Sequence, residues 1–149
     1  MHMVRTSRFG EVRYDPGRVI TFARGILGFE GTSRYILLNC KACDQFKWLQ
    51  SIEDPALAFL LYDPSPDFPD YWPPVNSKDL EELDLRGLQS AIVMCIATVP
   101  GDPSSATANF QAPLVINVAS RLGKQVVTGL PSYKTKQAIF HAALEMKTG

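Results

Sequence analysis

The chain has 149 residues, 46% of them hydrophobic and 20% charged, which suits one globular domain burying roughly two thirds of its unfolded surface and is too apolar for a disordered segment. Fifteen basic and fifteen acidic side chains cancel, so no global field draws the molecule to nucleic acid or to an anionic membrane. The longest strongly apolar run, residues 91–99, is far short of the ~20 residues of a spanning helix, and three cysteines are an odd count that makes no secreted disulfide framework.

Short runs rich in β-branched and aromatic residues follow one another along the chain: residues 3–9, 18–23, 34–40, 46–51, 57–62, 91–99, 114–118 and 125–128. Turn signals at Asp15-Pro16-Gly17, Gly25, Gly28, Gly31 and Gly101-Asp102-Pro103 separate them. Runs 57–62 and 91–99 are apolar without alternation, which predicts strands buried on both faces. Residues 77–85 predict a short helix, with Ser77 as its cap, Asp79, Glu81 and Glu82 near the positive end of its dipole, and Leu80, Leu83 and Leu85 on its apolar stripe. In residues 134–147, Ile139, Ala142, Ala143 and Met146 share one helical face. That tail reads either as a helix packed on the domain or as a detachable segment for a partner groove. The expectation is a mainly β single domain over 1–149, a small β-barrel or sandwich with one short internal helix and a C-terminal helix.

Catalytic signatures are weak. Cys40-Lys41-Ala42-Cys43 has the C-x-x-C spacing of zinc clips and thiol redox sites. Zinc needs four ligands, and only Cys95, His141 and His2 remain, widely scattered. Redox use favours a helix N-terminus behind the first cysteine, whereas strand-like Tyr35-Ile36-Leu37-Leu38-Asn39 precedes this one. Gly25, Gly28 and Gly31 match neither phosphate-binding fingerprint and read as a turn packed on the core through Ile26, Leu27 and Phe29. The aspartates of residues 63–70 lack calcium-loop spacing. No catalytic residue, metal site or cofactor is expected.

Binding features are stronger. Residues 44–86 carry ten acids against Lys47, Lys78 and Arg86, whereas residues 1–34 carry six arginines against Glu11, Asp15 and Glu30. This acidic block is either a solvated face neutralised on folding or a docking surface for a basic partner. Residues 63–74 concentrate five of the eleven prolines with Phe68, Tyr71 and Trp72. They form either a stiff lid over the barrel or a rigid binding edge. Asn109 and Gln111, between apolar positions, either complete backbone bonds at a strand irregularity or grip an added peptide strand.

Several segments, in order, resemble the flagellar assembly factor FliW family. They are Thr6-Ser7-Arg8-Phe9-Gly10, Ile20-Thr21-Phe22, Gly25-Ile26-Leu27-Gly28-Phe29-Glu30, Trp48-Leu49-Gln50-Ser51, Asp54-Pro55, Ala58-Phe59, Asp63-Pro64 and Pro69-Asp70-Tyr71. The series continues with residues 107–117 and Gln125-Val126-Val127. The chain departs from the family pattern at Ala23-Arg24, where a proline is usual, and in its C-x-x-C and its tail. The resemblance implies a small β-barrel-like, cytoplasmic, non-enzymatic regulator that binds flagellin and CsrA, a small basic homodimeric repressor of flagellin translation. In that scheme free flagellin captures the factor, and export of flagellin releases the factor to antagonise CsrA. CsrA is contacted allosterically, away from its RNA site.

On this basis the candidate partner-binding residues are Asp54, Asp63, Asp70, Tyr71, Asn109 and Gln111: Tyr71 as anchor, the carboxylates to orient basic CsrA, and the amides as main-chain-like hydrogen-bonding groups. Two other classes compete with this reading. One is a small thiol-dependent enzyme using Cys40 and Cys43; the other is a β-barrel RNA-binding module, which the zero net charge disfavours.

Overall fold

The structure, a computed structural model, describes residues 1–41 and 43–139. It opens with a hairpin of β1 (His2–Thr6) and β2 (Gly10–Tyr14), a separate two-stranded sheet. The Thr6 hydroxyl closes its turn, accepting from Phe9 N at 2.8 Å and donating to Gly10 O at 3.0 Å. The hairpin tip leans on the barrel: Ser7 N donates to Pro55 O at 3.0 Å, the Phe9 ring meets Trp48 edge-on, and the Arg8 guanidinium lies 4.5 Å from the Trp48 ring centre.

The second sheet contains β3 (Ile20–Thr21), β4 (Arg34–Asn39), β5 (Phe46–Ser51), β6 (Ala58–Tyr62), β7 (Ile92–Thr98), β8 (Thr107–Ala108), β9 (Leu114–Asn117), β10 (Leu122–Gln125) and β11 (Gln137–Ala138), with helix α1 (Ser77–Glu82) between β6 and β7. Pairing runs β7-β6-β5-β4-β3-β10-β9 and returns from β9 to β7, closing a seven-stranded barrel. Its pairings are antiparallel except β3 with β10, which run parallel through Thr21 and Leu122. The longest strand, β7, makes the closure: its first half pairs with β9, and its second half pairs with β8, to which β11 adds.

Alternation along the strands divides the core. Phe59 and Leu61 of β6 point into the barrel with Phe22, Tyr35, Leu49, Met94, Leu114 and Ile116. Leu60 and Tyr62 point outward into a second cluster with Phe46, Cys95, Phe110 and Ile139. Burial on both faces is therefore what the unalternating apolar run produces. A third cluster seats the α1 segment, through Leu83, Leu85 and Leu88, on Val115 and Val126. Gly123 is a close-approach position, since a Cβ there would lie 2.4 Å from the Phe22 ring.

Several boundaries differ from expectation. Run 3–9 covers only the first arm of a hairpin, whose second arm, Glu11 and Arg13 exposed, lacks a core-facing pattern. The strand expected at 125–128 lies earlier, at Leu122–Gln125. Helix α1 is capped by Asn76, not Ser77, with the Asn76 side chain accepting from Asp79 N at 2.8 Å. The helix expected over 134–147 does not form where the chain is described: Gln137 and Ala138 pair with Ala108 and Thr107, and Ile139 N donates to Ala106 O. An edge left open by two-residue β8 has captured a segment of helical periodicity; residues 140–147, with His141, lie outside the described residues.

Candidate partner-binding surface

The proline-rich segment begins where β6 ends. Asp63 N still donates to Gln45 O at 2.9 Å across β5, but Pro64 has no N–H to continue toward β7. The Pro64 carbonyl accepts from Phe68 N at 2.7 Å, and Phe68 O accepts from Tyr71 N, so the chain coils on itself. Asp63 Oδ1 accepts from the N–H and hydroxyl of Ser65, at 3.0 and 2.8 Å. Asp67 accepts from the Tyr62 hydroxyl at 2.6 Å and from Gln45 Nε2 at 2.9 Å.

The aromatics of this segment divide. Phe68 and Tyr71 fold back onto Phe110, with ring centres 4.9 and 4.6 Å away, and Tyr71 also meets Tyr133 at 5.0 Å. The Tyr71 hydroxyl donates to Phe110 O at 2.8 Å. Burial holds that phenol protonated far above the ordinary tyrosine range. Trp72, in contrast, is 61% exposed. Two rings lid the outer cluster and the third stands clear.

Asn109 and Gln111 act within the fold. Asn109 Oδ1 accepts from the N–H groups of Gln111 and Ala112, at 3.1 and 3.0 Å. Gln111 Nε2 donates to Leu130 O at 2.7 Å and Tyr133 O at 2.8 Å, while its Oε1 accepts from the Thr128 hydroxyl at 2.5 Å. The strand irregularity is thereby satisfied and segment 128–134 is fastened beneath Tyr71. The structure thus brings Asp63, Asp70, Tyr71, Asn109 and Gln111 to one end of the barrel. Asp54 sits in the β5–β6 turn at the other end of β6, five residues or about 17 Å away, with its Oδ1 accepting from Ala56 N.

Folding neutralises few of the ten acids of residues 44–86. Glu53 accepts from Ser33 N and Arg34 N at 2.7 and 2.8 Å, and these two bonds hold its carboxyl below the usual range. Asp79 and Glu82 clasp Lys124, and Arg24 reaches Glu82 at 2.6 Å. Arg24, then Lys124, bring the Glu82 carboxyl down to about 2. Asp44, Asp54, Asp63, Asp67, Asp70, Glu81 and Asp84 have no ion-pair partner among the described residues.

Beside these acids lies a cleft of about 460 Å³, whose lining includes Asp44, Lys47, Asp63, Tyr71, Trp72 and Val93. A second hollow, lined by Val75, Leu80 and Val127, shares Trp72 and Pro73 with it. The sequence reading missed Trp72 as the exposed ring. It also missed the glycine loop, where Ile26 is buried as expected but Leu27 and Phe29 are 61% and 44% exposed. The two positive-φ glycines flanking Leu27, Gly25 and Gly28, were the available signal that this turn projects.

The cysteines have the surroundings of core residues. Cys40 is buried and Cys43 packs against the Phe46–Tyr62–Phe110 cluster; burial pushes the Cys95 thiol up to about 12. Among the described residues no group of three His, Cys, Asp or Glu side chains is placed to hold a metal ion, and no helix is long and apolar enough to cross a membrane.

Residues 3–139 match the model of a family described as FliW protein. The chain is 37% identical over 139 residues to a flagellar assembly factor FliW of Natranaerobius thermophilus, covering 93% of this chain and 92% of that one. It is 36% identical over 138 residues to a namesake of Bdellovibrio bacteriovorus, covering 93% and 79%. A crystal structure of the flagellar assembly factor FliW superimposes with a TM-score of 0.85 at 36% identity, covering 92% of this chain and 96% of that one.

Proposed function

This chain belongs to the FliW family of flagellar assembly factors, and we propose that it acts in the cytoplasm as a single-domain, non-enzymatic regulator that binds flagellin and the translational repressor CsrA in competition. Free flagellin occupies the factor and leaves CsrA on the flagellin message; export of flagellin frees the factor, which then antagonises CsrA. The observation that carries this reading is the group of carboxylates without an ion-pair partner among the described residues, Asp44, Asp63, Asp67 and Asp70, at the barrel end where Trp72 stands exposed. Like-signed charge repels message phosphate and attracts a basic protein, raising its rate of encounter, while the exposed indole supplies the apolar anchor.

Asp63 and Asp70 orient the partner. Tyr71, Asn109 and Gln111 serve the surface by holding its backbone, and Asp54 extends the acidic rim at the far end of β6.

The test is titration calorimetry with CsrA and flagellin from the same organism, separately and then in competition. Both bind, flagellin displaces CsrA, and the double reversal Asp63→Lys with Asp70→Lys weakens CsrA at least tenfold in a variant that remains folded. Failure of both proteins to bind at micromolar concentration overturns the reading, and unchanged affinity in the double reversal removes the acidic surface from it.

A further inference from the structure

A closed barrel has no free strand edge, yet the register leaves a gap in this one. Asn109 N donates to Ile96 O at 2.9 Å, so the peptide groups of Ile96 point to the β8 and β9 side of β7. Alternation then directs those of Ile92 and Met94 the same way, opposite Ile116 and Leu114. The peptide groups of Val93, Cys95 and Ala97 face β6. Cys95 and Ala97 meet Tyr62 and Leu60 there. Continuing the register, Val93 falls opposite Pro64, which has no N–H and whose carbonyl is already taken by Phe68 N.

The N–H and C=O of Val93 therefore have no partner among the described residues, and Val93 lies along the 460 Å³ cleft. Ala91 is extended and has the same parity. Its N–H is used by Leu88 O at 3.0 Å, and its carbonyl faces the same gap. Three main-chain groups, two acceptors and one donor, thus line up along an edge half open to solvent.

We propose that this edge is a strand-addition site, which takes an extended peptide segment carrying a lysine or arginine and pairs it with residues 91–93 where β6 leaves off. Main-chain bonds supply affinity in such recognition, and the surrounding side chains select the occupant. Here the selecting groups are acidic. Asp44 and Asp63 line the cleft without ion-pair partners among the described residues, while the nearby Lys47 Nζ is turned to Asn39 Oδ1 at 3.0 Å. The exposed Trp72, which lines the same cleft, offers its ring to the stem or charge of the basic side chain. The inference goes beyond the regulatory reading and does not depend on which protein supplies the segment.

The test uses the full chain, labelled with nitrogen-15, and the blocked peptide acetyl-Lys-Val-Thr-Val-Lys amide. Three control peptides accompany it: two with N-methyl groups at alternate residues, one for each register, and one with both lysines replaced by glutamate. Binding slows hydrogen exchange of the Val93 amide at least tenfold and shifts its resonance. One N-methylated register loses this effect, and the glutamate peptide binds at least tenfold more weakly. Val93→Pro removes the donor without breaking a ladder bond and abolishes binding; if that variant does not fold, the N-methylated peptides decide.

An unchanged Val93 amide at millimolar peptide overturns the proposal. So does equal binding by both N-methylated forms or by the glutamate form. Because the probe is a synthetic peptide, these outcomes are separate from the calorimetry with CsrA and flagellin.

Discussion

Replacing Tyr71 by phenylalanine tests whether the proline-rich segment is held by a single hydroxyl. The ring contacts with Phe110 and Tyr133 survive the change, while the 2.8 Å bond to Phe110 O and the weak 3.9 Å contact from Cys95 Sγ are lost. That carbonyl has no other donor among the described residues, and Phe110 is buried. An acceptor left unsatisfied in such a place costs about 1–2 kcal/mol. With an unfolding entropy near 2.1 cal/mol/K per residue over 149 residues, this lowers the melting temperature by about 3–6 °C. Urea denaturation followed by tryptophan fluorescence, with a parallel calorimetric scan, measures both quantities. Amide exchange at Trp72 rises in step, because the tether of the exposed indole has gone. A Tyr71→Phe protein within 0.3 kcal/mol of the parent (about the error of such measurements), with unchanged exchange at Trp72, refutes the tether and leaves the segment to its ring stack and to the bonds of Asp67 with Tyr62 and Gln45.

Gln111→Ala removes three side-chain bonds to Thr128, Leu130 and Tyr133 and lowers stability by about 2–4 kcal/mol in urea titration, with faster amide exchange concentrated in residues 128–134. The depressed Glu82 carboxyl contributes stability that is present above its ordinary value of 4.5 and lost as pH falls toward about 2; Glu82→Gln flattens that acid limb in pH-dependent denaturation. The raised Cys95 thiol gives the opposite sign, with stability present below pH 9 and lost as pH rises toward 12, so Cys95→Ala shallows the alkaline limb. Gly25→Ala places a Cβ 2.6 Å from Glu30 Cα at φ +68°, whereas Gly28→Ala at φ +87° meets nothing within 4 Å. Thermal melts show Gly28→Ala costing about 1 kcal/mol and Gly25→Ala clearly more.

Legibility in the sequence followed the strength of the local signal. Strand β5 was readable to the residue because turn residues bound it on both sides, and β6 and β7 announced burial on both faces by lacking alternation. Two-residue β8 and β11 are shorter than any period, and β11 lies in a stretch whose apolar spacing is helical. Strand β10 carries Leu122 with Gly123, Lys124 and Gln125, and only the approach of Phe22 to Gly123 shows why that composition pairs. At the candidate site, residue types picked out the proline-rich segment, and the structure gathers its Asp63, Asp70 and Tyr71 at one end of the barrel. They left open whether Asn109 and Gln111 complete backbone bonds within the fold, as they do, or face a partner strand, and they did not reveal that Trp72 is the ring left outside.

By itself the sequence determined a mainly β chain, the family it resembles, an acidic middle set in a basic frame, and a proline-rich segment after the apolar run 57–62. These are properties of single residues and their near neighbours. The tertiary structure decided which three of the ten acids in residues 44–86 acquire basic partners, which aromatic faces solvent, and that Val93 points its peptide groups into a gap. Each of those outcomes is relational. A carboxylate is neutralised only by the base that folding brings to it, as Lys124 is brought to Asp79. A peptide group is satisfied or open according to the register of strands far away in the chain, as the pairing of β7 with β6, β8 and β9 leaves Val93 facing a residue that has no N–H to give.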